Sequence, residues 1–192
     1  MNTRVEKLRE VDERLLSTPV RVVGVVDDSI VDGLGVRMAV FFAGCTPKYM
    51  LPTGEVVHCP GCQNPGTQAF TSGEETTVGE LLQRFAANQL ECGVTLSGGD
   101  PMDQPTAALA LAKGVHALGG NVWAFTGYTL DHLLTDNLRR PVLDEVNVLV
   151  DGVFEVTKRT LALPFRGSTN QRVLDLPASL SAGEPVQLSI DY

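Results

Sequence analysis

Cys59-Pro60-Gly61-Cys62 sets two thiols two residues apart, a spacing at which both can point at one metal centre. Cys45, in Gly44-Cys45-Thr46 at the end of an apolar run, can supply a third. A closed structural zinc site takes four protein ligands, whereas a site that keeps one position open is a reactive one. Iron–sulfur clusters usually take four cysteine thiolates, so a cluster on three leaves one iron free to bind another group. Zinc, with His58 or Cys92 completing the set, is the bland alternative from spacing alone. Cys92 opens a predicted strand, at the opposite end from the other thiols, and reads better as an inert buried thiol.

The chain that positions these residues is 192 residues long and 43% hydrophobic, enough for one sizeable core, so a single domain over 1–192 is expected. A formal net charge of −8 argues against a nucleic-acid partner, because phosphate binding draws on Lys and Arg. Four unevenly spaced cysteines are too few for a disulfide scaffold and imply a reducing compartment. The N-terminus is charged where a signal peptide would be apolar, and no run of about 18 apolar residues occurs. A cytoplasmic protein with no membrane partner is expected.

Val5, Leu8, Val11, Leu15 and Leu16 fall at helical spacing and predict one amphipathic helix within 1–17. Strands are predicted at Arg21 to Val26 and at Val36 to Phe42, the latter apolar enough to be buried on both faces. Residues 46–58 are too rich in turn formers for a helix and predict a loop or hairpin. Thr77-Val78-Gly79-Glu80 matches a capping box, ahead of an apolar stripe of Leu81, Leu82, Phe85 and Leu90. Beyond it the pattern alternates: strand Gly93 to Leu96, helix 104–118 ended by Gly119-Gly120, strand Val122 to Phe125, helix Leu130 to Leu138, strand Val146 to Val150. An extended stretch follows at Val173 to Leu176, and 177–192 reads as a final edge strand on Val186, Leu188 and Ile190. Such alternation predicts βαβ units in a parallel sheet or barrel of about five or six strands, fewer than a closed eightfold barrel needs.

In such folds ligands bind beyond the carboxyl ends of the strands. Gly44-Cys45, Ser97-Gly98-Gly99-Asp100 and Thr126-Gly127-Tyr128 all fall there. The Gly98-Gly99 pair lets backbone approach a ligand closely, and Asp100 could take an ammonium group.

Read in order, Ile30-Val31-Asp32-Gly33-Leu34-Gly35-Val36-Arg37, Phe42-Ala43-Gly44-Cys45, Cys59 to Pro65, Ser97 to Pro101, Thr126-Gly127-Tyr128, Val150 to Phe154 and Phe165 to Arg172 resemble the activating enzymes of anaerobic (class III) ribonucleoside-triphosphate reductase, which are radical S-adenosylmethionine proteins. The resemblance implies an incomplete α/β barrel with a [4Fe-4S] cluster on Cys45, Cys59 and Cys62. It further implies that the open iron chelates S-adenosylmethionine, that reductive cleavage yields a 5′-deoxyadenosyl radical, and that the radical takes hydrogen from a glycine of the reductase large subunit. Gly61, Cys62 and Gln63 would contact the adenine side, Ser97, Gly98, Gly99 and Asp100 the methionine ammonium, and Thr126 and Gly127 the ribose. Arg166, Asn170 and Arg172 would grip the partner or the substrate end, or tie down the tail. An electron donor such as flavodoxin or ferredoxin is implied.

The chain departs from this family by placing 13 residues between Cys45 and Cys59, where the family has a short connection. Closing the longer loop costs only about 1 kcal/mol more. The insertion, 46–58, is therefore expected to be a lid or docking element dispensable for the cluster. Wide cysteine spacing also resembles some 7-carboxy-7-deazaguanine synthases, which act on a small molecule.

Overall fold

The computed structural model describes residues 3–190. Met1, Asn2, Asp191 and Tyr192, at the two ends of the predicted helix and edge strand, lie outside the described residues. The chain opens with two short helices, α1 (Arg4–Leu8) and α2 (Glu13–Leu16), in place of the single helix expected. The break has a local cause: Asp12 accepts from the Arg14 N–H and starts a second helix. Leu8, Val11, Leu15 and Leu16 still pack on the core, while Val5 is exposed.

Strands β1 (Pro19–Ser29) and β2 (Arg37–Phe42) follow, then the small hairpin of β3 (Tyr49–Met50) and β4 (Val56–Val57), and β5 (Glu74–Thr77). Next come α3 (Val78–Ala87), β6 (Gly93–Gly98), α4 (Pro105–Ala117), β7 (Asn121–Phe125), α5 (Leu130–Thr135), α6 (Arg140–Leu143), β8 (Val148–Asp151), β9 (Arg172–Asp175) and α7 (Leu176–Ala182). The main sheet has seven strands, in the order β5-β1-β2-β6-β7-β8-β9. Its central four, β2, β6, β7 and β8, are parallel, and the flanking pairings of β1, β5 and β9 are antiparallel. The sheet is thus mixed with a parallel centre, larger than five or six strands, and among the described residues it does not close into a barrel.

Three sequence readings are corrected. Residues 176–182 form α7, capped by the Asp175 carboxylate on the Ala178 N–H and stopped by Gly183 in the left-handed region, so the predicted edge strand reduces to a single bridge between Leu174 and Gln187. Leu90 lies beyond the end of α3 and is 77% exposed, whereas Leu81, Leu82 and Phe85 are buried as expected. The capping box at Thr77 is half made: Thr77 caps the Glu80 N–H, but the Glu80 carboxylate turns to the Thr76 hydroxyl.

Alternation along the parallel strands divides the molecule into two faces. Met38, Val40, Phe42, Val94, Leu96, Val122, Ala124 and Leu149 join the helices in the main core. Trp123, Val148, Val150 and Val173 face the other way and pack with Phe125, Phe165, Leu188 and Ile190. Phe41 and Ser97 share that second face and line a cavity at the strands' carboxyl ends. Among the described residues no helix is long and apolar enough to cross a membrane.

Candidate metal centre

The cavity, of about 960 Å³, is lined by Cys45, Cys59 and Cys62 together with Gln63, Ser97, Gly98, Gly99, Thr126 and Gly127. The three stretches picked out at strand ends therefore meet, because β2, β6 and β7 are adjacent and parallel and each stretch leaves its strand at the same rim. The end of β8 adds Gly152.

Cys45 is held by backbone. Gly44, with φ +88°, turns the chain out of β2; its N–H donates to the Thr67 carbonyl (2.8 Å), and the Cys45 N–H donates to Gln68 (3.0 Å). Cys59 and Cys62 are joined by a turn in which the Cys62 N–H donates to the Cys59 carbonyl (3.1 Å), with Gly61 at φ +71°. Gly98 and Gly99 serve the chain's own backbone: a Cβ on Gly98 would collide with the backbone of Phe41 and Phe42, and one on Gly99 with the Gly44 carbonyl. The loop after β6 is thereby pressed against the loop that carries Cys45.

Asp100 does not face the cavity. It is fully buried and accepts from the Thr126 hydroxyl (2.9 Å), the Gly127 N–H (2.9 Å) and the Met102 N–H (3.0 Å), so it ties the loop after β6 to the loop after β7. Burial pushes its pKa up, with Lys48 pulling against the shift.

Lys48 is the residue sequence reasoning missed, the signal being a lone lysine three residues after the first cysteine. Its ammonium is largely buried, 3.3 Å from Asp100, 2.9 Å from Asp103 and 3.7 Å from Cys45 Sγ, and donates to the Thr46 carbonyl (2.7 Å). It also sits 4.2 Å over the Tyr128 ring. Asp103 accepts from the Tyr128 hydroxyl (2.7 Å), the Thr46 N–H (2.7 Å) and Arg139 (3.2 Å). Burial alone would lower the Lys48 pKa, but Asp100, Cys45 and Asp103 together hold it above the ordinary lysine range. Burial pushes the Cys45 thiol up to about 12. The Cys59 thiol is also raised by burial, and a backbone hydrogen bond at Phe154 pulls against it.

The insertion is a hairpin, as its composition suggested, but it does not stand apart from the ligands. The His58 Nε2 meets the Cys45 carbonyl at 2.7 Å, and Thr46 and Lys48 enter the network just described. Only the tip, β3 and β4, projects away, with Met50 and Val56 exposed.

The donor set suits a cluster better than one zinc ion. Tetrahedral zinc with bonds of about 2.3 Å needs its thiolates about 3.8 Å apart. Among the described residues the one group of three or more ligand atoms within 4.8 Å of one another is Cys45, Asp100 and Asp103, and Cys59, Cys62 and His58 are not in it. Cys92 lies at the far end of β6, about 20 Å along the strand, half-buried against Arg37 (3.7 Å). Arg166 lines the cavity, and among the described residues its buried Nε has no partner. Asn170 and Arg172 hold the tail: Asn170 donates to the Val153 carbonyl (2.8 Å), and Arg172 forks onto Asp151.

A family model described as a 4Fe-4S single cluster domain matches residues 31–174, which defines the class: a single-cluster iron–sulfur protein. The anaerobic ribonucleoside-triphosphate reductase-activating protein of Salmonella typhimurium is 37% identical over 153 residues, covering 75% of this chain and 91% of that protein. The protein of the same name from Escherichia coli K12 is 35% identical over 155 residues, covering 75% and 91%. A pyruvate formate-lyase-activating enzyme of Clostridium pasteurianum is 32% identical over 98 residues, 48% of this chain and 37% of that enzyme. The chain belongs to the family of anaerobic ribonucleoside-triphosphate reductase-activating proteins.

Proposed function

We infer that this chain is a radical S-adenosylmethionine activase that generates a glycyl radical on an anaerobic ribonucleoside-triphosphate reductase. The observation that carries this reading is the convergence of Cys45, Cys59 and Cys62 on one cavity beyond the parallel strands. A [4Fe-4S] cluster held there by Cys45, Cys59 and Cys62 would supply the one-electron reduction that cleaves S-adenosylmethionine at its sulfur–C5′ bond and so the radical that takes hydrogen from glycine.

The chain's own residues bind and orient. Cys45, Cys59 and Cys62 hold the cluster. The backbone of Gly61, Cys62 and Gln63 borders the adenine, Ser97, Gly98 and Gly99 the methionine end, and Thr126 and Gly127 the ribose. Asp100 acts from behind, fixing the Thr126-Gly127 turn through the hydrogen bonds it accepts from the Thr126 hydroxyl and the Gly127 N–H. Arg166 offers its unpaired Nε to the substrate end. At 960 Å³ the cavity lies near the top of the roughly 300–1,000 Å³ range of small-ligand sites, with room for a cofactor and a segment of partner. Ile30 and Val31, each 72% exposed, and Leu161, 91% exposed, line its mouth and form an apolar lip for that segment. The electron donor is a small one-electron carrier of the flavodoxin or ferredoxin kind, and the setting is cytoplasmic.

The test is to purify the protein without oxygen, count iron and sulfide, and incubate it with a reductant, S-adenosylmethionine and the host's reductase. A glycyl-radical doublet in electron paramagnetic resonance is expected. A colourless zinc protein would overturn the reading, and so would 5′-deoxyadenosine formation accompanied only by consumption of a small molecule.

A further inference from the structure

Behind Cys45 the charges are layered: one thiol, then the Lys48 ammonium at 3.7 Å, then the Asp100 and Asp103 carboxylates at 3.3 and 2.9 Å from that ammonium. The thiol sulfur and a carboxylate oxygen from each aspartate lie within 4.8 Å of one another, so Lys48 is the cation that keeps three anionic groups together once the thiol is a ligand. Of these groups a second cation, Arg139, reaches Asp103 alone, at 3.2 Å, and it is shared with Asp136 at 2.6 Å.

We propose that Lys48, supplied by the 46–58 segment between the first two cysteines, is a positioning residue that sets the reduction potential of the cluster through the Cys45 thiolate. The inference rests on the assignment of Cys45 as a cluster ligand. Cluster potentials follow net charge, hydrogen bonds to sulfur and solvent exposure, and Lys48 acts on all three. Its ammonium adds a positive charge beside the ligand, donates toward the sulfur, and closes the space between the insertion and the loop after β6. Reduction adds one electron from an outside donor and no proton, so a nearby fixed positive charge favours the reduced state. The 46–58 insertion is thus an electrostatic part of the redox site as well as a surface hairpin.

Lys48→Met keeps the length of the side chain and removes the charge, Lys48→Arg keeps the charge, and Asp103→Asn removes an opposing one. Each full-length protein is purified anaerobically and its iron counted. Each is then titrated with dithionite against redox dyes while the reduced-cluster resonance is followed. The midpoint should fall in Lys48→Met, return toward wild type in Lys48→Arg, and rise in Asp103→Asn. A purely structural role would move Lys48→Met and Asp103→Asn in the same direction or leave both unchanged, and either result overturns the proposal. If Lys48→Met fails to hold iron, Asp103→Asn decides: a raised midpoint supports the proposal and an unchanged or lowered one overturns it. Wild-type protein without a cluster would instead overturn the ligand assignment.

Discussion

The guanidinium of Arg37 lies fully buried over the ring of Trp123, 5.4 Å from its centroid, at the end of the sheet opposite the cavity. It donates to the Thr95 hydroxyl (2.7 Å), the Asn121 side-chain oxygen (2.7 Å) and the Val94 carbonyl (2.9 Å), pinning the starts of β2, β6 and β7 together. Burial lowers its pKa to about 10, which leaves it charged at neutral pH. Arg37→Met strands those acceptors and should cost about 2–4 kcal/mol of stability, at about 1–3 kcal/mol per unsatisfied buried group less the relief of a desolvated charge. Urea unfolding checks the loss, and iron content should be unchanged where the variant is folded.

Cys45→Ala, Cys59→Ala and Cys62→Ala should each lose the cluster, while Cys92→Ala retains it, because Cys92 sits at the Arg37 end of β6. Iron per chain after anaerobic reconstitution is the measurement. A normal cluster in Cys59→Ala would contradict the ligand set.

The apolar lip should matter to the partner and not to the cofactor. Ile30→Asp and Leu161→Asp place charge on side chains that are already exposed, so folding and uncoupled S-adenosylmethionine cleavage should persist. Activation of the reductase should fall by about tenfold or more, the effect of about 1.4 kcal/mol at an interface. Equal loss of cleavage and activation would place these residues at the cofactor instead.

Replacing only 49–57 with a short turn should spare iron content, since the contacts of Thr46, Lys48 and His58 remain. Replacing all of 46–58 should weaken the cluster. Identical iron content in the two deletions would show that the base of the insertion plays no part in holding Cys45.

Burial, and then the hydrogen bond to Asp103, push the Tyr128 phenol up to about 12, above the usual value near 10. The fold favours the neutral phenol, so its stabilising contribution is complete below about pH 10 and is lost as pH rises through 12. Ultraviolet titration of the folded protein should show a late ionisation that Tyr128→Phe removes and Asp103→Asn brings earlier.

The strand ends were legible because glycine and cysteine mark them in the chain: Gly44-Cys45, Gly98-Gly99 and Thr126-Gly127 meet as periodicity and βαβ topology predicted. What escaped was set by partners far apart in sequence. Lys48 finds its role through Asp100 and Asp103, and Asp100 turns from the cavity because Thr126 and Gly127 satisfy it from another loop. Local chemistry also misled: Asp12 splits the first helix, and Asp175 with Gly183 brackets a helix where alternating apolar residues suggested a strand. The extra strands arise at the sheet's margins, where β5 pairs with β1 through polar Glu74–Thr77, a stretch without the apolar pattern that betrays a buried strand.

The sheet ends in β5 on one side and β9 on the other, and these two edges do not pair. An enzyme that handles a species reactive toward almost any C–H bond needs walls on every side, and an open sheet does not by itself supply them all. On the proposed function, a reductase segment docked at the apolar lip would be both substrate and shutter. Spillage of the radical into solvent becomes a property of how long the two proteins stay together, set by their dissociation rate as much as by chemistry within either chain.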